Sequence, residues 1–250
     1  IAAEFAEIQP LCHGEMNGSL FLTPSGGVGP YTYAWTRDGD GAWGSTNEDL
    51  TNVPADNYHV AITDSNSCTS TFDYMLGEPD ELIIPPPTIT NVGCQGAATG
   101  SIVLDEANLG GSAPYSYSWY RGSTELVGQN DASAEDLIAS SQYIAIVTDT
   151  NGCQDILTNI TVTEPATSVT ITGSSVTEVL CHGDSTGAIS VDVTGGTPPY
   201  AYEWTSTNPA FVDPGTEDLT NIPAGDYTLV ITDANGDIAG CTTTDSWTVI

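Results

Sequence analysis

The chain has 250 residues and carries 33 Asp plus Glu against two basic side chains, Arg37 and Arg121, for a formal net charge of −31. Such a chain cannot neutralise a phosphate backbone, so nucleic acid is excluded as a partner. No apolar run approaches the roughly 20 residues of a membrane-crossing helix, and no direct membrane insertion is expected. With 26 Gly, 15 Pro and abundant Thr, Val, Ile and Tyr, the composition reads as an all-β protein with many tight turns. The first residues lack a Met, a basic stretch and a signal-peptide pattern, so the sequence is expected to be a piece of a longer precursor.

Taken in chain order, the sequence passes three times through one pattern. The first pass opens at Cys12, with Gly18 six residues on. Gly26-Gly27 marks a turn that needs positive φ. Pro30, Tyr31, Tyr33 and Trp35 then alternate along a strand, and Glu48 to Leu50 follows. A Tyr-led strand, Tyr58 to Asp64, leads to Cys68, and Glu78-Pro79 closes the pass. The second pass repeats these landmarks at Cys94, Gly100, Gly110-Gly111, Pro114 to Trp119, Glu135 to Leu137, Tyr143 to Asp149, Cys153 and Glu164-Pro165. The third repeats them at Cys181, Gly187, Gly195-Gly196, Pro199 to Trp204, Glu217 to Leu219, Tyr227 to Asp233 and Cys241.

The middle pass shows the elements best. Strands are predicted over Thr88 to Val92, Ser101 to Asp105, Tyr115 to Tyr120, Glu135 to Ile138, Tyr143 to Thr148 and Asp155 to Thr163. Ile102 and Leu104 share one face, and so do Tyr115, Tyr117 and Trp119. Because the Trp and Tyr recur at one place in every unit, they read as core anchors, not as a sugar-binding stripe. Short strands with turn signals every 8 to 12 residues predict three tandem immunoglobulin-like β-sandwich domains, at residues 1–84, 85–166 and 167–250. Proline-rich joints such as Pro85-Pro86-Pro87 predict semi-rigid spacers and a rod.

Within each pass the two cysteines are 56, 59 and 60 residues apart. No Cys-x-x-Cys spacing suggests zinc. One pair per unit predicts intradomain disulfides Cys12–Cys68, Cys94–Cys153 and Cys181–Cys241, each contributing roughly 4 kcal/mol at most by loop closure. Disulfides in turn predict an oxidising, extracellular location.

The run Cys-x(5)-Gly, Gly-Gly-x-x-Pro-Tyr-x-Tyr-x-Trp, Leu-x-x-x-Pro-Ala-Gly-x-Tyr and Thr-Asp-x-Asn-Gly-x-Cys resembles the SprB repeat of gliding Bacteroidota. The third pass carries it most fully, at Cys181, Gly187, Gly195-Gly196, Pro199-Tyr200, Trp204, Leu219, Pro223-Ala224-Gly225, Tyr227, Asp233 and Asn235-Gly236. Departures fall at turns: Asp56, Asn57 and Ser67 in the first pass, Ser140-Ser141 in the second, and an insertion, Asp237 to Gly240, in the third. The resemblance implies a large, repetitive cell-surface adhesin or filament exported by type IX secretion. Its implied roles are attachment, gliding or prey capture.

Specific chemistry is sparse. Asp38-Gly39-Asp40-Gly41 resembles half of a calcium loop, which makes Asp38 and Asp40 candidate calcium ligands and calcium the possible cofactor, although later ligand positions are missing. The repeated Asp-x-Asn turns are equally explained as Asx turns. Trp43, in a Gly-rich loop, is the candidate glycan-stacking residue. His13 and His182 follow the first cysteine of their units, where the second unit has Gln95, and read as turn surface. No hydrolase elbow, zinc helix or phosphate loop occurs, and no enzymatic role is expected. The expected function is a stalk or attachment segment. Its partners would be other repeats of the same chain, further copies in a multichain fibre, and surface glycans or other cells. The alternatives are a carbohydrate-binding module and the accessory tail of a secreted hydrolase.

Overall fold

A computed structural model describes residues 1–234 and 241–250. Residues 235–240, which hold Asn235-Gly236 and the Asp237 to Gly240 insertion, lie outside the described residues. Each pass through the pattern folds as two small antiparallel sheets around its own core. In the first unit, β1 (Ala2–Ile8), β2 (Gly18–Ser25) and β4 (Leu50–Val53) form one sheet in the order β1-β2-β4. The other, in the order β3-β5-β6, holds β3 (Thr32–Arg37), β5 (Asp56–Thr63) and β6 (Thr69–Leu76). The second unit repeats this with β7 (Thr88–Thr90), β8 (Gly100–Val103) and β11 (Ser133–Leu137) against β9 (Ser116–Arg121), β10 (Thr124–Glu125), β12 (Ser140–Thr148) and β13 (Gln154–Val162). The two-residue β10 adds an edge beside β9 that the sequence does not announce. The third unit sets β14 (Thr170–Thr177), β15 (Gly187–Thr194) and β17 (Leu219–Ile222) against β16 (Ala201–Ser206), β18 (Gly225–Thr232) and β19 (Thr242–Val249). Two facing antiparallel sheets with this strand exchange are the immunoglobulin-like sandwich.

The aromatic landmarks are core. Trp35, Trp119 and Trp204 are buried in their units' interiors. Each indole N–H donates to a carbonyl twelve residues further on: Asn47, Asp131 and Thr216. One side chain therefore fills the centre and ties down the long crossover after its strand. Tyr58, Tyr143 and Tyr227 are equally buried. Their hydroxyls reach back to the carbonyls of Pro54, Ile138 and Pro223 at 2.7, 2.8 and 2.9 Å, the tyrosine corner of such sandwiches. Gly18, Gly100 and Gly187 recur for want of space. A Cβ at Gly100 would stand 2.6 Å from Val162 Cγ1, and one at Gly187 would stand 2.7 Å from Val249 Cγ1.

The cysteine pairing expected within units is not the pairing observed. The bonds are Cys12–Cys153 and Cys94–Cys241, with Cα–Cα distances of 5.6 and 5.4 Å. Cys68 and Cys181 are free and exposed. Cys12–Cys68, Cys94–Cys153 and Cys181–Cys241 are thus all corrected, and the strand register supplies the reason. Cys12 lies just before Gly18, which pairs with Val53 beside the start of β5. Cys68 lies just past Thr63↔Thr69, at the other end of β5. Eight residues of strand hold the two about 25 Å apart, far beyond the 4.4–6.8 Å a disulfide spans. The first cysteine of a unit sits where the chain leaves it, and the closing cysteine sits where the chain arrives. The bond therefore runs from one unit to the next. Non-reducing peptide mapping is expected to recover Cys12 joined to Cys153 and Cys94 joined to Cys241. Recovery of Cys12–Cys68 or Cys94–Cys153 peptides would overturn this serial pairing.

Candidate functional site at the joints between units

Each joint is made from two prefolded turns and a short linker. The first turn carries the first cysteine of a unit. Its carbonyl accepts from the amide three residues on: Glu15 to Cys12, Ala97 to Cys94, Asp184 to Cys181. The residue before the cysteine is also fixed. Leu11 N–H donates to Asn17 Oδ1, Gly93 N–H to Thr99 Oγ1 and Leu180 N–H to Thr186 Oγ1.

The second turn carries the closing cysteine and is organised by a buried carboxylate. Asp64, Asp149 and Asp233 are the buried charged side chains among the described residues. Asp149 Oδ1 accepts from the amides of Asn151 and Cys153, both at 2.9 Å. Its Oδ2 accepts from Ser112 N–H at 3.0 Å, in the Gly-Gly turn. Asp64 does the same for Asn66, Cys68 and Val28. Asp233 Oδ2 accepts from Thr197 N–H at 2.9 Å. Oxygens so supplied with donors keep the charged form stable. The Asp64 carboxyl titrates below its ordinary 3.8 because of the Cys68 amide first, with burial opposing and the Val28 and Asn66 amides helping. Its contribution is present above pH 3.8 and is lost as pH falls through the lower folded value.

The linker is fastened on both sides. Glu78 accepts from Gly14 N–H at 2.7 Å and meets His13 Nδ1 at 3.1 Å. Glu164 accepts from Gly96 N–H at 2.6 Å, and Gln95 bonds both Ala166 O and Ser168 N. The Glu-Pro landmark and the His or Gln after the cysteine thus clamp the departing chain to its own unit. Beyond the clamp the linker docks on the next unit. Leu82 and Ile84 are buried in the second core, and Val169 in the third. Ile83 N–H donates to Leu109 O at 2.7 Å, and Gly196 N–H to Thr167 O at 2.9 Å. A Cβ at Gly110 would stand 2.1 Å from Glu81 O, so the Gly-Gly turn is partly a landing place for the linker.

Where the two turns meet, Asn151 Nδ2 donates to Leu11 O across the joint at 3.0 Å, and Cys153 Sγ lies 3.4 Å from the same carbonyl. At the second joint Cys241 Sγ lies 3.4 Å from Gly93 O. The sequence carried every residue of this arrangement but not which units they join.

The remaining candidates stand together on the first unit. Asp38 Oδ1 meets His59 Nε2 at 2.9 Å, and Asp73 Oδ1 meets His59 Nδ1 at 2.6 Å. Asp40 lies 3.5 Å from Arg37 Nη2 instead. Asp38 and Asp40, the candidate calcium ligands, thus go to different cations, and no group of three His, Cys, Asp or Glu suited to a metal occurs among the described residues. Trp43 packs edge-on against buried Tyr58 at 5.6 Å, with Arg37 over its ring at 5.4 Å. Phe211 makes the same contact with Tyr227 at 5.5 Å in the third unit, so Trp43 has a structural counterpart that sequence alignment of the landmarks missed. His59 titrates above its ordinary 6.5 because of the Asp73 hydrogen bond first and the Asp38 hydrogen bond second. Asp38 titrates below 3.8 because of His59 first and Asn57 second.

The sequence pattern of the SprB repeat matches at three stretches, residues 9–40, 87–124 and 168–208. Each match begins ahead of the unit's first cysteine and ends past its aromatic strand. Solved structures share only the general build. The N-terminal eight immunoglobulin domains of Down syndrome cell adhesion molecule isoform 1.30.30 align at 13% identity and TM-score 0.38, over 100% of this chain and 42% of that one. The FN1–FN3 domains of chicken CNTN1 align at 11% and 0.27, over 99% and 97%. The insect immune protein hemolin aligns at 10% and 0.29, over 100% and 76%. The fold assignment rests on the strand order above.

Two outcomes are expected. Asp149→Ala strips three backbone amides of their acceptor and should cost about 1–3 kcal/mol, read as a lower melting temperature. An unchanged melt would remove the carboxylate from its organising role. In an NMR titration the His59 ring should lose its proton above pH 6.5, and Asp73→Asn should bring that midpoint down. Its stabilising contribution is full below the unfolded value and is lost as pH rises through the folded one. Because these groups are exposed, the effect is expected in the titration and not in the melt.

Proposed function

We propose that this chain, three SprB repeats in series, is a load-bearing stalk segment of an extracellular surface adhesin. The serial staple carries the reading. Cys12 with Cys153 forms one covalent node, and Cys94 with Cys241 forms another. Three backbone segments, 12–94, 94–153 and 153–241, run in parallel between those nodes. A pull on the two ends is therefore shared among the segments and does not draw the units out one after another. The shortest covalent route from residue 1 to residue 250 crosses both bridges and about 80 residues of backbone.

The rest of the molecule suits that task. The linkers are clamped at both ends, so the units hold a fixed succession. The charge of −31 resists collapse of one segment on another. The repeated polar residues hold turns and linkers in place and do not converge on a substrate-sized site. Attachment by many such segments needs no strong single contact, because avidity multiplies weak ones. Attachment, gliding or prey capture would all use a stalk of limited extensibility.

Single-molecule stretching tests the proposal. The oxidised protein should reach a final extension about one third that of the protein in reductant. Equal final extensions in both conditions would sink it.

A further inference from the structure

Cys68 and Cys181 stand outside the two staples, yet each sits in a turn built like those that are bonded. The Cys68 turn has its buried carboxylate, with Asp64 accepting from Asn66, Cys68 and Val28 as Asp149 does from Asn151, Cys153 and Ser112. The Cys181 turn has the Asp184-to-Cys181 bond and the Leu180-to-Thr186 bond that its bonded counterparts have at Cys12 and Cys94. The neighbouring groups that work at a joint are also present and uncovered. Asn151, half-buried, gives its amide to Leu11 O; Asn66, its counterpart, is exposed. Leu11 is 54% exposed beside its joint, whereas Leu180 is 83% exposed. The two turns lie on opposite outer ends of the series: Cys68 where the chain arrives at the first unit, Cys181 where it leaves the third.

We infer that these two ends are the two halves of one more joint of the same kind, and that the partner is a second copy of this chain. Cys181 of one copy bonds Cys68 of the next, and the Asn66 amide of the second copy donates to the Leu180 carbonyl of the first. Because the two halves differ and face opposite ways, the contact is heterologous. It repeats head to tail and leaves the series open. Each bond joins two thiols, whose two protons and two electrons pass to a disulfide oxidant that is itself reduced to two thiols. Selectivity follows from preorganisation: Cys181 presents a free carbonyl beside its sulfur, and Cys68 presents the donor that fits it. Two Cys68 turns brought together offer donors alone. Repulsion between two very acidic chains is screened beyond about 8 Å at physiological salt, so the test belongs at that ionic strength.

The wild-type chain would be incubated in a reduced and oxidised glutathione buffer with 0.15 M salt, conditions that let wrong pairs exchange. The products would be run on a non-reducing gel and mapped by mass spectrometry. The expected result is a ladder of linear multimers in which Cys181–Cys68 peptides far outnumber Cys68–Cys68 and Cys181–Cys181 peptides. Cys68→Ser alone and Cys181→Ser alone should stay monomeric, and a mixture of the two should stop at a heterodimer. Both positions are exposed, so neither substitution disturbs a core. Linked peptides in the roughly 1:2:1 proportion of random coupling would overturn the inference, as would thiols that stay unlinked or end only as glutathione adducts. Each of these failures leaves the stretching result at the internal staples untouched.

Discussion

A buried carboxylate that receives three backbone amides fixes everything downstream of it. Asp149 holds the turn of Cys153 and the Gly-Gly turn together, so the sulfur at the arriving end of the second unit has one position. Asp64 does the same in the first unit, without a partner unit to receive it. A turn carrying a charge could not be buried at this depth unless its oxygens were satisfied by the backbone. With them satisfied, the staple closes without further ordering. The rod, the parallel load path and the open half-joints all follow from that placement.

The same economy of polar groups explains how so acidic a chain builds a defined shape. The two basic residues cannot form an ion-pair network, and Arg37 is committed locally, over Trp43 and beside Asp40 and Asp56. Cohesion between units is left to backbone hydrogen bonds, to linker side chains such as Leu82 and Ile84, and to disulfides. None of these is weakened by the chain's own field as ion pairs between like-charged units would be. Surface repulsion then favours an extended succession over a folded-back one.

Much of a single unit was legible in the sequence. Period-two alternation identified the strands and their inward faces, because a strand alternates its side chains whatever surrounds it. The repeated Trp and Tyr were legible as core because three units of similar size need the same anchor. Ile102, Leu104, Tyr117 and Trp119 are buried as the alternation requires. The clamp at His13 and Gln95 was less legible. Two dissimilar residues perform one task, one meeting a carboxylate and the other bonding backbone, and residue identity hides that equivalence. The matching roles of Trp43 and Phe211 were hidden for the same reason, since the loops that carry them share no landmark.

The sequence by itself determined the number of units, the sandwich within each, and the presence of one cysteine near each end of a unit. These are properties of local alternation, turn chemistry and spacing. Which cysteines bond was decided only by tertiary structure. A separation of 56 to 60 residues is compatible with a bond inside a unit or with one to its neighbour, because chain length says nothing about which ends of a sandwich the two residues occupy. Once β5 runs its eight residues between them, the pair within a unit is held apart by the length of a strand, and the only sulfur within reach belongs to the next unit.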